Sequence, residues 1–254
     1  MEITSRDNPT FKELLKLTDK KWRHRLGLCI IEGEKVIKDN SNRIVKTFVR
    51  PRVRGQYCDV YVLDDKLFNM VSSLESDTGI LAIARTPAPK KEVTMPFLVL
   101  DGIQDAGNMG TLLRSAAAFG YNTVFCLDCV DVWSPKVLRA SSGMSFTLNL
   151  IECSPKEFVK PEGSVLIGAD MNGGDVSGIT QKNLGIVLGN EGRGIRECIK
   201  SRIDGYVTIP MHEGIDSLNV GVAGAILMYE FRGMGGSVAQ EAPEEKAEQI
   251  DETI

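Results

Sequence analysis

The chain has 254 residues, 43% of them hydrophobic, and a formal net charge of −4. That length holds one large or two small domains, and that composition supplies a real core. No apolar run reaches the roughly 18 residues a membrane span needs, so no membrane partner is expected. The start, MEITSRDNPTFKELL, has no apolar stretch of the kind a signal peptide carries. Cysteines stand scattered at 29, 58, 126, 129, 153 and 198, a usage that fits a reduced cytoplasm better than a disulfide framework.

Charge is unevenly placed. Residues 1–54 hold 14 Lys+Arg against 7 Asp+Glu, a net of +7. Residues 237–254 hold 6 acids and 1 Lys, a net of −5. A basic segment suits a polyanion such as nucleic acid, and it also suits a plain solvated surface. The acidic tail is poor in hydrophobic residues and is expected to be disordered.

In chain order, NPTFKELLKLTDK places Phe11, Leu14 and Leu15 at helical spacing behind Pro9. LCIIEG reads as a strand and EKVIKDN as a short helix. TFVR, CDVYVLD and ILAIAR read as strands, with a helix from about Lys66 to Ser73. Residues 1–85 therefore form a small α/β domain. RTPAPKKEVTMP has three prolines and two lysines and reads as an extended linker over 86–96. A second domain, 97–236, alternates regularly: FLVLD, helix 109–119, TVFCLD, helix SPKVLRAS, then SVLIGAD, LGIVLGN and YVTIP, and a last helix from about Ser217 to Phe231. Such alternation with apolar strands implies an α/β fold with a parallel sheet covered on both faces. Ligands in such sheets bind beyond the carboxyl ends of the strands.

Three strand-end loops carry chemistry. In DAGNMGTLLRSAAAFG, Asn108 can cap a helix that Gly120 ends, with Leu112, Leu113, Ala116 and Ala117 as its buried stripe. Arg114 lies off that stripe, with Gly110 one turn earlier giving room beside it. It reads equally as a functional cation or as half of a surface salt bridge. LGNEGRGI sets Asn190, Glu191 and Arg193 among three glycines, a pattern that matches neither the dinucleotide fingerprint nor a P-loop. In IPMHEGIDSLNVGVAGAILMYEF, Ser217 is a natural cap, and the helix is apolar almost all round. Asn219, heading that buried helix, needs a partner. Gly221, Gly224 and Ala225 allow another helix to approach closely.

Other features are weaker. CLDC at 126–129 lacks the further ligands a zinc site needs, so buried free thiols are the better reading and no metal is expected. SPKVLRASSGMSF offers Lys136, Arg139 and Ser141 as RNA contacts or as helix surface.

NMGTLLRSAAAFG, IVLGNEGRG and IPMHEGIDSLNVGVAGAILMYE, in this order, closely resemble the three motifs of the SpoU (TrmH) family of RNA ribose 2′-O-methyltransferases in the SPOUT superfamily. SPKVLRASSG matches a stretch common in its rRNA-modifying branch. The NP…LLKL opening and CIIEGEKVI resemble the family's substrate-binding domain, itself similar to a small ribosomal protein. The resemblance implies a trefoil knot in the second domain, S-adenosylmethionine as cofactor, an RNA substrate (large-subunit ribosomal RNA above tRNA) and a homodimer through the last helix. It places the cofactor against the backbone around Leu188, Gly189, Ile209, Met211 and Leu218. It places Asn108, Arg114, Glu191, Ser217 and Asn219 at the catalytic and RNA-contacting positions. It makes Arg114 either the base or a bidentate clamp on the neighbouring phosphate, and a guanidinium gives up its proton with difficulty. The chain departs from the usual pattern at Gly221, where the family often has Ser or Ala.

Overall fold

The structure is a computed structural model that describes residues 1–53, 57, 59–72, 78–175, 183–212, 214 and 217–232. The acidic tail and Cys58 lie outside these residues. Two sheets are built in succession. The first contains β1 (Glu2–Ile3), β2 (Leu28–Glu32), β3 (Ile44–Val49), β4 (Val60–Leu63) and β5 (Ile80–Arg85), in the order β1-β4-β3-β5-β2. It is mixed: β4 runs parallel to β1 and β3, while β5 runs antiparallel to β2 and β3.

Three of the four helices flanking this sheet start where short polar side chains can hold free N–H groups. Asn8 accepts from Thr10 and Phe11 at the head of α1 (Pro9–Lys16), and Asp64 accepts from Leu67 at the head of α4 (Asp65–Val71). Between them lie α2 (Lys20–Leu26) and α3 (Glu34–Asp39). The sequence reading missed α2. Its residues, KKWRHRL, show no apolar period, because the side chain it buries is Arg23.

The second sheet contains β6 (Phe97–Asp101), β7 (Thr123–Leu127), β8 (Asn149–Cys153), β9 (Val165–Asp175), β10 (Leu184–Gly189) and β11 (Gly205–Thr208). Every pairing is parallel, in the order β11-β9-β10-β6-β7-β8. β6, β7 and β10 are buried and, apart from Asp101 at the end of β6 and Thr123 at the start of β7, carry no polar side chain, as the central strands of a covered parallel sheet must. β8 was missed by the sequence reading, being an edge strand only partly buried. The helices are α5 (Ala106–Phe119), α6 (Pro135–Ala140), α7 (Glu197–Lys200) and α8 (Val220–Glu230).

Residues 86–95 form neither helix nor strand, and they are pinned to the second sheet. The Asn149 side chain accepts from the Lys90 N–H at 2.7 Å and donates to the Lys90 and Glu92 carbonyls. The Thr94 N–H donates to the Thr123 hydroxyl at 3.0 Å.

The two sheets are joined by apolar packing and by charge. Cys29 and Ile31 of β2 and Ala82 and Ala84 of β5 belong to the same buried cluster as Val137 and Leu138 of α6. Beside it Arg23 donates from Nε to Asp131 Oδ2 at 2.7 Å and from Nη1 to the Leu17 carbonyl at 2.7 Å. Both charged side chains are 5% exposed. Asp131 also accepts from the Trp133 N–H, and His24 Nε2 lies 3.3 Å from its Oδ1 and 3.7 Å from Glu152. Burial raises the Glu152 carboxyl above the ordinary range, against the pull of His24.

Removing one partner of a buried pair strands the other charge. Asp131→Ala is therefore expected to destabilise the protein by about 3–5 kcal/mol, read as a shift in the urea midpoint. Glu152 should act with opposite sign. An acid whose pKa is raised by folding costs stability above its ordinary pKa and nothing well below it. Glu152→Gln should raise Tm at pH 7, and the gain should vanish when the melt is repeated below pH ~4, near the reference carboxylate value.

Candidate functional site

Asp101 ends β6 with its carboxylate fully buried. Arg196 closes on it from the loop after β10: its N–H donates to Oδ2 at 2.7 Å and its Nε to Oδ1 at 2.6 Å. The same guanidinium reaches Asp128 Oδ2 at 2.7 Å and the Leu127 carbonyl at 2.8 Å, so one side chain ties together the ends of β6, β7 and β10. The sequence reading missed Arg196. The signal available was an Asp closing an otherwise apolar strand, since a buried carboxylate demands a cation.

This staple curls the loop after Gly189 back on itself. Asn190 and Gly194 exchange both backbone hydrogen bonds, at 3.1 and 2.9 Å. A Cβ at Gly189 would lie 2.4 Å from the Gly194 carbonyl carbon, so the tight closure requires glycine there. Inside the curl Asn190 Oδ1 accepts from the N–H groups of Gly192 and Arg193, and its Nδ2 donates to the Gly102 carbonyl at 2.8 Å. Glu191 is thereby aimed at the head of α5.

At that head the expectation for Asn108 fails in detail. The helix cap is Asp105, which accepts from the Asn108 N–H at 2.8 Å. Asn108 sits inside the first turn, and its side chain is released for other bonds. It donates from Nδ2 to Glu191 Oε1 at 2.8 Å and accepts at Oδ1 from Asn219 Nδ2 at 2.9 Å. Asn219, not Ser217, caps α8: its Oδ1 accepts from the N–H groups of Gly221 and Val222. Every amide in this chain therefore has one orientation. Asn219 must present its oxygen to the helix, so it donates to Asn108, and Asn108 must donate to a carboxylate that can only accept. The relay Asn219→Asn108→Glu191 joins all three predicted loops.

Beside the relay lies a cleft of about 450 Å³. Leu188, Gly189, Ile209, Met211 and Leu218 all line it, together with Glu191, Ser217 and Asn219. Its volume lies within the range of small-molecule sites, and its wall mixes apolar side chains with polar groups at the strand ends. That composition fits a nucleoside-bearing cofactor such as S-adenosylmethionine.

Arg114 is not brought into this group. It is exposed on α5, lines no part of the cleft, and makes no side-chain hydrogen bond or ion pair among the described residues. Neither reading of Gly110 as room for Arg114 nor of Arg114 as half of a salt bridge holds. A Cβ at Gly110 would lie 2.2 Å from the Ala140 Cβ, so this glycine lets α6 cross α5. Gly221 and Gly224 likewise serve packing within the chain. A Cβ at Gly224 would meet Leu112 at 2.3 Å and Leu188 at 2.5 Å, and one at Gly221 would press on Asn219 Oδ1 and Thr111. A side chain at 221 would need Asn219 or Thr111 to give by a few tenths of an ångström.

Lys136 and Arg139 are exposed on α6, whereas Ser141 is buried and bonded to Ser145, so it faces no RNA. Cys126 is buried, and burial pushes the half-buried Cys129 thiol up to about 12, as suits unreactive free thiols.

Residues 95–229 match the SpoU rRNA methylase family. The 23S rRNA (guanosine(2553)-2′-O)-methyltransferase RlmP of Bacillus subtilis (strain 168) is 32% identical over 248 residues, 91% of this chain and 99% of that one. A crystal structure of an RNA 2′-O ribose methyltransferase superposes with a TM-score of 0.76 at 28% identity, over 91% of this chain and 97% of the other. The fold is shared with the SpoU methyltransferase AviRb of Streptomyces viridochromogenes in complex with AdoMet, at a TM-score of 0.75 and 22% identity, over 88% and 96% of the two chains. The chain belongs to the SpoU rRNA methylase family.

If the relay aligns the three loops, its charge pattern is testable. Asn108→Asp would set two carboxylates against each other, which is tolerated only when one holds a proton. Methyl transfer at pH 7.5 should fall about 100-fold or more, by analogy with the loss of a preorganised donor. It should recover partly towards pH 5.5, a trend the wild type does not share.

Proposed function

We propose that this chain transfers a methyl group from S-adenosylmethionine to a ribose 2′-hydroxyl of large-subunit (23S) ribosomal RNA. Family membership and the full-length similarity to RlmP support the reaction and its cofactor. The observation that carries the site is the relay of Asn219, Asn108 and Glu191 at the lip of a cleft lined by Leu188, Gly189, Ile209, Met211 and Leu218.

The bound cofactor supplies an electrophilic methyl on a sulfonium, so the protein's tasks are to position the hydroxyl and to take its proton. The relay fixes the mouth of the cleft at the ends of β6 and β10 and at the start of α8. Ser217, exposed at that mouth, offers a hydroxyl to the RNA or to the cofactor. Arg114 carries a planar fork that grips a phosphate in two places, and in this reading it clamps the phosphate beside the target ribose and aims the 2′-hydroxyl, with partial proton acceptance.

In this reading residues 1–85 form the RNA-binding domain, 86–96 the linker and 97–236 the methyltransferase domain, whose closing loops form the trefoil knot. The +7 excess of residues 1–54 supports a polyanion partner, though part of it is engaged inside the protein. Arg23 pairs with Asp131, Arg50 with Asp65 and Lys46 with Glu13. Exposed cations such as Lys20, Lys21, Arg25, Lys35 and Lys38 remain for RNA. No helix among the described residues is long and apolar enough to cross a membrane, in keeping with a cytoplasmic enzyme.

A homodimer through α8 completes the proposal. The glycine side of α8 is filled by α5, but Val222, Ile226 and Tyr229 are 47%, 36% and 47% exposed on its other side. Apolar side chains in a row on one helix face suit a second copy of the same surface. The helix was expected to be buried on most sides, and pairing would bury this exposed row.

Mass spectrometry of nucleosides from 23S rRNA and tRNA of cells with and without the gene tests the reaction. One 2′-O-methylated nucleoside of 23S rRNA should disappear. Arg114→Lys, which keeps the charge and loses the fork, should bind S-adenosylmethionine as the wild type does and lose most single-turnover methyl transfer. Ile226→Glu should shift sedimentation towards the monomer while leaving the packing of Gly224 on Leu112 and Leu188 intact.

A further inference from the structure

The curl at the end of β10 carries one group that neither the relay nor the cleft uses. Its shape is fixed from within: Asn190 and Gly194 exchange backbone hydrogen bonds, and Asn190 Oδ1 accepts from the N–H groups of Gly192 and Arg193. Arg193 therefore stands at a set place on the tip. Asn190, Glu191, Gly194 and Ile195 line the cleft, whereas Gly192 and Arg193 do not. The outer side of the tip is open. A Cβ at Gly194 would meet nothing within 4 Å, and one at Gly192 would meet only Asn190 Oδ1, at 3.8 Å.

The arginines of the second domain divide by their engagement. Arg196, Arg202 and Arg232 each donate to an oxygen of the chain, and Arg139 is engaged as well. Arg193, like Arg114, is exposed, and its guanidinium makes no hydrogen bond, ion pair or ring contact among the described residues. Its place in the sheet is also particular. From β6 the chain adds β7 and β8 on one side and β9, β10 and β11 on the other, so the strand order reverses between β6 and β10. Ligands of α/β sheets gather at such a point. The curl crosses it, since Asn190 Nδ2 donates to the Gly102 carbonyl beyond β6 at 2.8 Å.

We infer that Arg193 holds a phosphodiester of the RNA substrate where the strand crosses the lip of the cleft. This rests on the chain being an RNA methyltransferase whose donor sits in that cleft. An RNA strand that brings a ribose to the mouth must pass the curl. There it meets Glu191, an exposed carboxylate that repels phosphates, and no cation lines the cleft among the described residues. Arg193, two residues further on, supplies the opposite charge outside the cleft. Its planar fork gives two parallel N–H bonds to a phosphate, and the rigid curl spares the cost of ordering a loop on binding. Since it lies off the cleft, its task falls on the RNA and not on the cofactor.

Single-turnover methyl transfer by the full chain to 23S rRNA from cells lacking the gene, at several KCl concentrations and over a range of RNA concentrations, tests this. Arg193→Gln should raise the half-saturating RNA concentration about tenfold, the scale of one charge-assisted contact. It should also flatten the logarithmic salt dependence by about 0.7, the share of one phosphate on a single strand. Arg193→Lys, which keeps the charge, should retain the wild-type salt dependence. Isothermal titration with S-adenosylmethionine should give the wild-type affinity for both variants. Unchanged half-saturation and salt dependence in Arg193→Gln would make Arg193 plain solvated surface and overturn the inference. Weaker RNA binding with an unchanged salt dependence would assign it to a base instead, and weaker S-adenosylmethionine binding would assign it to the cleft; either overturns the phosphate contact. If the wild type transfers no methyl group to this RNA, the proposed reaction fails first and the inference falls with it.

Discussion

The site depends on one short chain of side-chain hydrogen bonds, Asn219 to Asn108 to Glu191. Each of these residues stands at the end of a different strand or the start of a different helix. Backbone bonding alone would leave the three loops independent, because the strands of a parallel sheet end without hairpins to join them. Two amides and a carboxylate couple them instead. The coupling has a fixed polarity because one end is committed to capping α8 and the other can only accept. A hydrogen bond of this kind contributes little net stability, about 1 kcal/mol. Its effect is geometric, holding the polar groups of the cleft mouth in one arrangement before a substrate arrives.

Below the relay, Arg196 and Asp101 do the heavier fixing. A buried carboxylate at the end of a central strand is costly unless a cation and N–H donors reach it. Arg196 supplies both from its own backbone and side chain, and that requirement forces the loop after β10 to lie across β6. The curl that presents Glu191 is then set by Gly189, Asn190 and Gly194. The relay is the visible part of a structure anchored on Asp101.

Much of this was legible in the sequence for physical reasons. FLVL, VFCL and LGIVLG are apolar runs, and only a sheet covered on both faces buries such strands, so the architecture of the second sheet followed. Asn219 was legible as a polar group heading an apolar helix, and its partner proved to be Asn108. The errors lie where a local rule has several candidates. Asp105 and Asn108 both make good caps, as do Ser217 and Asn219, and tertiary bonding chose between them. Helix α2 was invisible because its buried residue is an arginine, whose partner Asp131 lies 108 residues away. The register shift of β9 beside β11, where Gly168 pairs with Tyr206 and Gly174 with Val207, was invisible because a run such as SVLIGAD reads as a plain strand.

The glycines that looked like invitations to a second subunit show how one sequence signal separates into two roles. Small residues on a helix permit close approach by whatever lies opposite, and the nearest candidate is the chain's own α5. Gly224 accepts Leu112 and Leu188, and Gly110 accepts Ala140, so these glycines set the distances between α8, α5 and α6. That packing leaves Val222, Ile226 and Tyr229 on the outside of α8, beside Phe119 of α5, whose ring stands edge-on to Tyr229 at 5.7 Å. The apolar row and the unengaged Arg114 are thus carried by the same pair of helices, with the cleft on their inner side. The exposed row is what the proposed pairing with a second copy would bury, whereas the glycine side of α8 is already filled by the chain itself.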